Sequence, residues 1–151
     1  MNGNSNTFVL KSGKKTKHFS PNEVAYIVCD CCICNLHFVD GSHFTCTKPL
    51  VYFEDVLPAD SFCRINHHII INLQQVSEII SSGSRKHDVR MKNEDLLPVS
   101  HRKWMHLKRK IFREWRSYAE KCRTYRKNHY TYQIDWHARW NAQKTAISLP
   151  P

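Results

Sequence analysis

FCRINHHIIINL, residues 62–73, is the stretch on which the reading of this 151-residue chain turns. A phenylalanine and an arginine lead into a polar triplet, Asn66, His67 and His68, and then come Ile69, Ile70, Ile71 and Asn72. Three consecutive β-branched residues bounded by polar ones predict a short buried strand. The triplet then sits on a loop at the mouth of that strand, where its donors face outward from a rigid base. A second stretch, LPVSHRKWMHL at 97–107, complements the first. There Ser100 stands where an apolar edge strand ends and a basic helix begins, and serine is a favoured helix N-cap.

Upstream, residues 7–11 read as a strand, Ser12 and Gly13 as a turn, and 17–20 as the strand that pairs back. Pro21 and Asn22 interrupt, and 24–29 begins the next strand. Leu36 and Phe38 alternate with Asn35 and His37, a period of two. Asp40-Gly41 is a hairpin signal, so 43–45 should return antiparallel. Residues 49–57 predict a helix: proline suits the first turn, and Leu50, Phe53 and Leu57 form a core-facing stripe. Downstream, 76–80 is a strand and 81–86 a Ser/Gly-rich loop; Val89 and Met91 alternate, Asn93-Glu94 turns, and 96–99 returns. Short strands joined by hairpin turns predict a mainly β fold of small antiparallel sheets packed side by side, with one short helix.

From Ser100 the character changes. Trp104, Leu107, Ile111, Trp115, Tyr118, Cys122 and Tyr125 recur at helical spacing, so a long amphipathic helix closes the β domain. Between His101 and Lys127 stand eleven Lys and Arg and two Glu, which is nine of the chain's ten net positive charges. A helix of that length spans about 40 Å. The outer part of its stripe therefore needs a partner, either Tyr132, Trp136 and Trp140 of the tail or a second copy of the chain. The expected organisation is a frayed N-terminus at 1–6, a β domain at 7–112, and a basic, aromatic helical extension at 113–151.

A net charge of +10 and a pI near 9.4 call for an anionic partner: nucleic acid, an anionic membrane or an acidic protein. No apolar run approaches the ~18 residues of a membrane span, and no charged-then-apolar leader opens the chain, so the expected location is the cytoplasm. The seven cysteines are odd in number, and four of them crowd into 29–34, which does not suit a disulfide framework. Cys29 with Cys32, and Cys31 with Cys34, have the spacing of a zinc knuckle. On a strand, however, neighbouring side chains point to opposite faces. The cysteines therefore read as reduced, half-buried thiols without metal, and no cofactor is implied. No nucleophile is tied to Asn66, His67 and His68 by an enzyme motif, and neither a Gly-rich phosphate loop nor H-E-x-x-H occurs. The chain reads as neither an enzyme nor a binder of a small-molecule substrate.

Four segments, in order, resemble the LytTR-type DNA-binding domain of bacterial response regulators. That family reads F-x-R-x-H-R-S-Y-L-V-N and later P-V-S-R-R before a helix. This chain has Phe62, Arg64, Ile70, Ile71 and Asn72 in the first, and Pro98, Val99, Ser100 and Arg102 in the second. Tyr26, Ile27, Asp40 and Gly41 match the family's upstream I-x-Y-I-E-A…D-G, and Leu50, Leu57, Pro58 and Phe62 match its L-K-E-L-E-x-x-L-P-x-x-F. Asn66 replaces the family histidine, His67 the arginine, and Cys32 and Ile33 an Asn-Tyr pair. The resemblance covers about residues 7–112 and implies a fold of small antiparallel sheets that contacts DNA through loops and strand ends.

Carried onto this sequence, the implied contacts are His67 in the arginine slot, Arg102 after the serine, and the loop at 31–34 with Cys32 and Ile33. His68 and His101 flank these positions. Histidine and arginine suit base edges: a guanidinium reaches guanine O6 and N7 with two donors, and imidazole offers a donor, an acceptor or two donors. Cys32 and Ile33 would read by apolar contact with a thymine methyl or by shape. Lys48, Arg64 and Lys103 are candidate phosphate contacts, which position but do not specify. The implied function is sequence-specific double-stranded DNA binding by a transcriptional regulator standing alone without a receiver domain, with a possible homodimer on paired sites. The alternatives are a protein-interaction module that uses the basic helix, and a non-specific nucleic-acid binder. Retention of one preferred site at physiological salt separates the first from the others.

Overall fold

The computed structural model describes residues 7–125, and the side chains of Trp115 and of 117–125 lie outside that description. The chain divides into two compact units, Met1–Gln75 and Val76–Pro151. Both are built from short antiparallel strands, as the hairpin-rich sequence predicts.

In the first unit, β1 (Phe8–Ser12) and β2 (Lys15–Phe19) form a hairpin. Its turn falls at Gly13-Lys14 rather than Ser12-Gly13, because Ser12 pairs with Lys15 and Gly13 takes the positive φ of 59° that the turn requires. A five-stranded sheet follows, in the order β5 (His43–Cys46), β4 (Ile33–Phe38), β3 (Val24–Asp30), β7 (Ile69–Asn72), β6 (Phe62–Arg64). One face carries Ile27, Cys29, Cys34, Leu36, Phe38, Cys46 and Ile70. It packs with Leu50, Phe53 and Leu57 and with Leu10 and Phe19 of the hairpin. The predicted stripe of α1 (Leu50–Val56) is thus core, with Pro49 at its N-cap and Leu57 at its C-cap. The Asp40-Gly41 hairpin also forms: Gly41 has φ 88°, and the Ser42 amide and hydroxyl both donate to the Asp40 carboxylate, which holds that group below the usual carboxylate range.

Strand β7 is buried along its whole length. Each fully buried isoleucine there contributes about 1.5–3 kcal/mol by removing apolar surface from water. Asn72 at its end is also buried, yet both ends of its amide are used. Its Nδ2 donates to the Val24 carbonyl at 2.9 Å, and its Oδ1 accepts from the Gln74 amide at 3.0 Å. Buried polar groups satisfied in this way avoid the cost of desolvation without a partner.

The second unit is a three-stranded sheet, β10 (Leu96–Val99), β9 (His87–Met91), β8 (Val76–Ser81), followed at once by α2 (His101–Tyr125). The predicted Asn93-Glu94 turn forms, with φ 72° at Glu94 and the Asp95 amide donating to the Asn93 side chain. The Ser100 carbonyl accepts from the Lys103 and Trp104 amides, which closes the first helical turn. Trp104, Leu107 and Ile111, the inner part of the predicted stripe, are buried. The outer part, Trp115, Tyr118, Cys122 and Tyr125, and the tail residues Tyr132, Trp136 and Trp140 lie outside the described side chains. Among the described residues no helix is long and apolar enough to cross a membrane.

Candidate nucleic-acid interface

The Asn66–His68 triplet is the tip of the β6–β7 connection, as its polar composition predicts. Arg64 pairs with Ile70, and the Ile65 amide donates to the Ile69 carbonyl, so the loop starts from a closed ladder. Within it the Asn66 side-chain oxygen accepts from the His68 amide at 2.7 Å, an Asx turn that fixes the triplet's shape. Arg64 clamps the loop from beneath. Its Nε donates to the Asn66 carbonyl at 3.1 Å, its Nη2 to the His67 carbonyl at 2.9 Å, and its Nη1 to Glu54 of α1 at 2.8 Å. The guanidinium named in the sequence as a phosphate contact therefore has three bonds inside the protein. His67 and His68 are both exposed above it, ring centroids 6.5 Å apart.

The same end of the sheet carries the β3–β4 hairpin. Val28 pairs with Ile69, the Cys29 amide donates to the His68 carbonyl at 2.7 Å, and the Cys29 carbonyl faces His68 Nδ1 at 3.1 Å. A carbonyl only accepts, so Nδ1 of His68 carries the proton, and in the neutral ring Nε2 is a bare acceptor. The hairpin turn is two residues, Cys31 and Cys32, because Asp30 pairs with Ile33 and Cys29 with Cys34. Cys31 has φ 55°, a left-handed conformation uncommon outside glycine. Cys31, Cys32 and Ile33 are exposed, whereas Cys34 is buried. The loop expected at 31–34 is thus only its first two residues.

Register explains the cysteines. Cys29, Cys34 and Cys46 are partners on three adjacent strands and line one buried rung. Burial first, then the Cys29 thiol, pushes the Cys34 thiol far above the ordinary thiol range, which makes it inert. Lys48 follows two residues after Cys46, leaving the sheet at that same end, with its ammonium 5.0 Å from the Tyr52 ring.

In the second unit, His101 and Arg102 open α2 and are exposed, and Lys103 is half-buried. Among the described residues no hydrogen bond or ion pair engages the Arg102 guanidinium. His101 is held. Its Nδ1 lies 3.3 Å from Nε2 of His87 at the start of β9, and His87 Nδ1 lies 3.1 Å from the Ser81 hydroxyl. The His87 ring stacks on Trp104 at 4.2 Å, and the His101 ring lies at 16° to it with centroids 5.6 Å apart. Burial first, then His101 and Lys108, holds the pKa of His87 below its ordinary value. Partial desolvation, then Lys110, Lys103, Arg109 and Arg113, does the same to His106 on the helix.

The sequence reading missed His87, Ser81 and Glu54. Extending the Val89 and Met91 alternation back two residues would have put His87 on the buried face. Glu54 had no such signal, because its role depends on how α1 packs beside β6.

Residues 14–112 match the model of the LytTr DNA-binding domain. A solved structure with TM-score 0.62 and 21% identity is the LytTr DNA-binding domain of a protein described as a methyl-accepting/DNA response regulator from Bacillus cereus; the match covers 70% of this chain and 95% of that one. No curated protein matches. At that identity the solved structure speaks for the fold, three small antiparallel sheets with two helices. The family model spans well over half of the chain. The four segments that resemble the family in sequence lie on β3–β4 and the turn after it, α1, β6–β7 and the β10–α2 junction. This chain therefore belongs to the LytTr DNA-binding domain family.

Proposed function

We propose that the chain binds double-stranded DNA sequence-specifically as a transcriptional regulator, reading bases with His67, His68, His101 and Arg102. Cys32 and Ile33 add apolar contact at the hairpin tip. Lys48 and Lys103 contact phosphates. The observation that carries this reading is the immobilised yet exposed loop at 66–68, where an Asx turn and the Arg64 clamp fix the backbone while both imidazoles stay accessible. A rigid base lowers the ordering cost of binding, so exposed polar groups can discriminate. Arg64 serves by holding that loop. On paired sites two copies of the chain bind side by side.

One observation favours a second reading: nine of ten net charges fall between His101 and Lys127. A basic helix of that density binds any duplex through phosphates, without preference and with steep salt dependence. Selection of bound duplexes from random DNA, followed by titration at rising salt, decides between the two. The specific reading expects a recurring motif, retained over competitor DNA at physiological salt. Equal binding of all duplexes, lost steeply with salt, would overturn it. Sedimentation with one-site and two-site duplexes tests the pairing.

A further inference from the structure

The second unit contains a chain of hydrogen bonds that ends on an exposed histidine. The Ser81 hydroxyl lies 3.2 Å from the Gly83 carbonyl and 3.1 Å from His87 Nδ1, and His87 Nε2 lies 3.3 Å from His101 Nδ1. A hydroxyl has one proton, and a carbonyl can only accept. With His87 neutral, all three contacts are hydrogen bonds in a single arrangement of protons. Ser81 donates to Gly83, His87 donates from Nδ1 to the Ser81 oxygen, and His101 donates from Nδ1 to the bare Nε2 of His87. The reverse order, in which Ser81 donates to His87 and His87 donates to His101, leaves the Gly83 contact without a proton and forms one bond fewer. A cationic His87 would also make three bonds, donating from Nδ1 to Ser81 and from Nε2 to a bare Nδ1 of His101, and would set His101 as the opposite tautomer; the order above therefore belongs to neutral His87. Burial of His87 beneath Trp104 supplies that neutrality.

We infer that Ser81 and His87 are positioning residues that fix His101 as the Nδ1–H tautomer, so that its Nε2 presents an acceptor to a base amino group, cytosine N4 or adenine N6. This inference rests on the DNA-reading role given above to His101. Its consequence for recognition is specific. A histidine free to choose its tautomer accepts from an amino group or donates to guanine O6 or N7 with little preference. One locked by the relay rejects guanine, since two acceptors would then face each other. His87 lies parallel to Trp104 at an interplanar angle of 5°, ring centroids 4.2 Å apart, so a turn that exchanged its nitrogens would break this stack.

The test has two arms on the full chain. Long-range proton–nitrogen spectra of the free protein, at a pH where His101 is neutral, report which ring nitrogen is protonated. The expected result is a protonated Nδ1 and a bare Nε2 on His101 in wild type. Ser81→Ala should turn that signal into a mixture of tautomers, and Ser81→Thr, which keeps the hydroxyl, should restore it. A His101 protonated at Nε2 in wild type would overturn the relay, as would a signal that Ser81→Ala leaves unmoved. In the second arm, sites are selected from random duplexes by wild type and by His101→Lys, which can only donate. One position should change from cytosine or adenine to guanine. A motif that is identical for both overturns the base-reading role while leaving the DNA-binding function intact. A chain that selects no motif overturns the functional reading, and the spectra still decide the relay.

Discussion

Replacing Arg64 by alanine removes three guanidinium bonds at once, and the size of the effect separates a loop clamp from a phosphate contact. The Glu54 pair is partly exposed, 25% for the arginine side chain and 39% for the glutamate, so solvent screening keeps its share to about 0–1 kcal/mol. The bonds to the Asn66 and His67 carbonyls come from a charged donor and hold a three-residue tip. Discounted for partial exposure, they contribute roughly 1 kcal/mol each. Together these give a loss of about 2 kcal/mol in unfolding free energy. If loop order is required for base reading, affinity for the selected site falls about 30-fold. Glu54→Ala should cost less than 1 kcal/mol in stability and leave the loop bonds in place. The deciding assay is fluorescence anisotropy on the selected duplex across a range of salt. A phosphate contact contributes about 0.9 to the slope of log K against log salt. A clamp contributes nothing, so Arg64→Ala should bind more weakly with the wild-type slope. A slope shallower by about one, with unfolding midpoints unchanged, would refute the clamp.

Arg102→Ala should cost about 1–3 kcal/mol on the selected site and relax preference at one or two bases. Lys103→Ala should weaken all duplexes alike and reduce the salt slope by about one; a selected motif unchanged by Arg102→Ala removes that residue from base reading. Because the pKa of His87 is lowered by burial, the folded state holds fewer protons than the unfolded one below the ordinary value of 6.5. The stability His87 contributes is therefore complete above that value and is lost as pH falls through the folded pKa. Denaturant midpoints should drop on acidification from about pH 7 to about pH 5, less steeply in His87→Gln than in wild type. His106 acts in the same direction in both proteins, and equal pH slopes for the two would exclude His87 as a source. Cys31 and Cys32 should react with a thiol reagent in the native protein, while Cys29, Cys34, Cys46 and Cys63 react only on unfolding. Protein purified without chelator should carry less than one zinc per chain; stoichiometric zinc would make the cysteine hairpin a metal site.

What the sequence determined by itself was everything set by local period and turn chemistry. Ile69–Ile71 had to be a buried strand, because three β-branched residues in succession suit nothing else at that length. Asp40-Gly41 had to turn, and Leu50, Phe53 and Leu57 had to share one face of a helix. Trp104, Leu107 and Ile111 marked the buried side of α2 for the same reason. The order of four short motifs was enough to point to the family, and the family model then matched 14–112.

What only the tertiary structure decided was which distant residues meet. Strand register put Cys29, Cys34 and Cys46 on one buried rung, and so reduced the expected loop at 31–34 to a two-residue tip. Packing of α1 beside β6 brought Glu54 to Arg64 and gave the arginine bonds within its own loop. The β10–α2 junction brought His101 to His87, fourteen residues away. Periodicity cannot foresee such pairs, because a one-residue change of register moves every side chain to the opposite face. A side chain's chemistry is written in the sequence, but the tautomer of a histidine and the freedom of an arginine depend on the partner that the fold supplies.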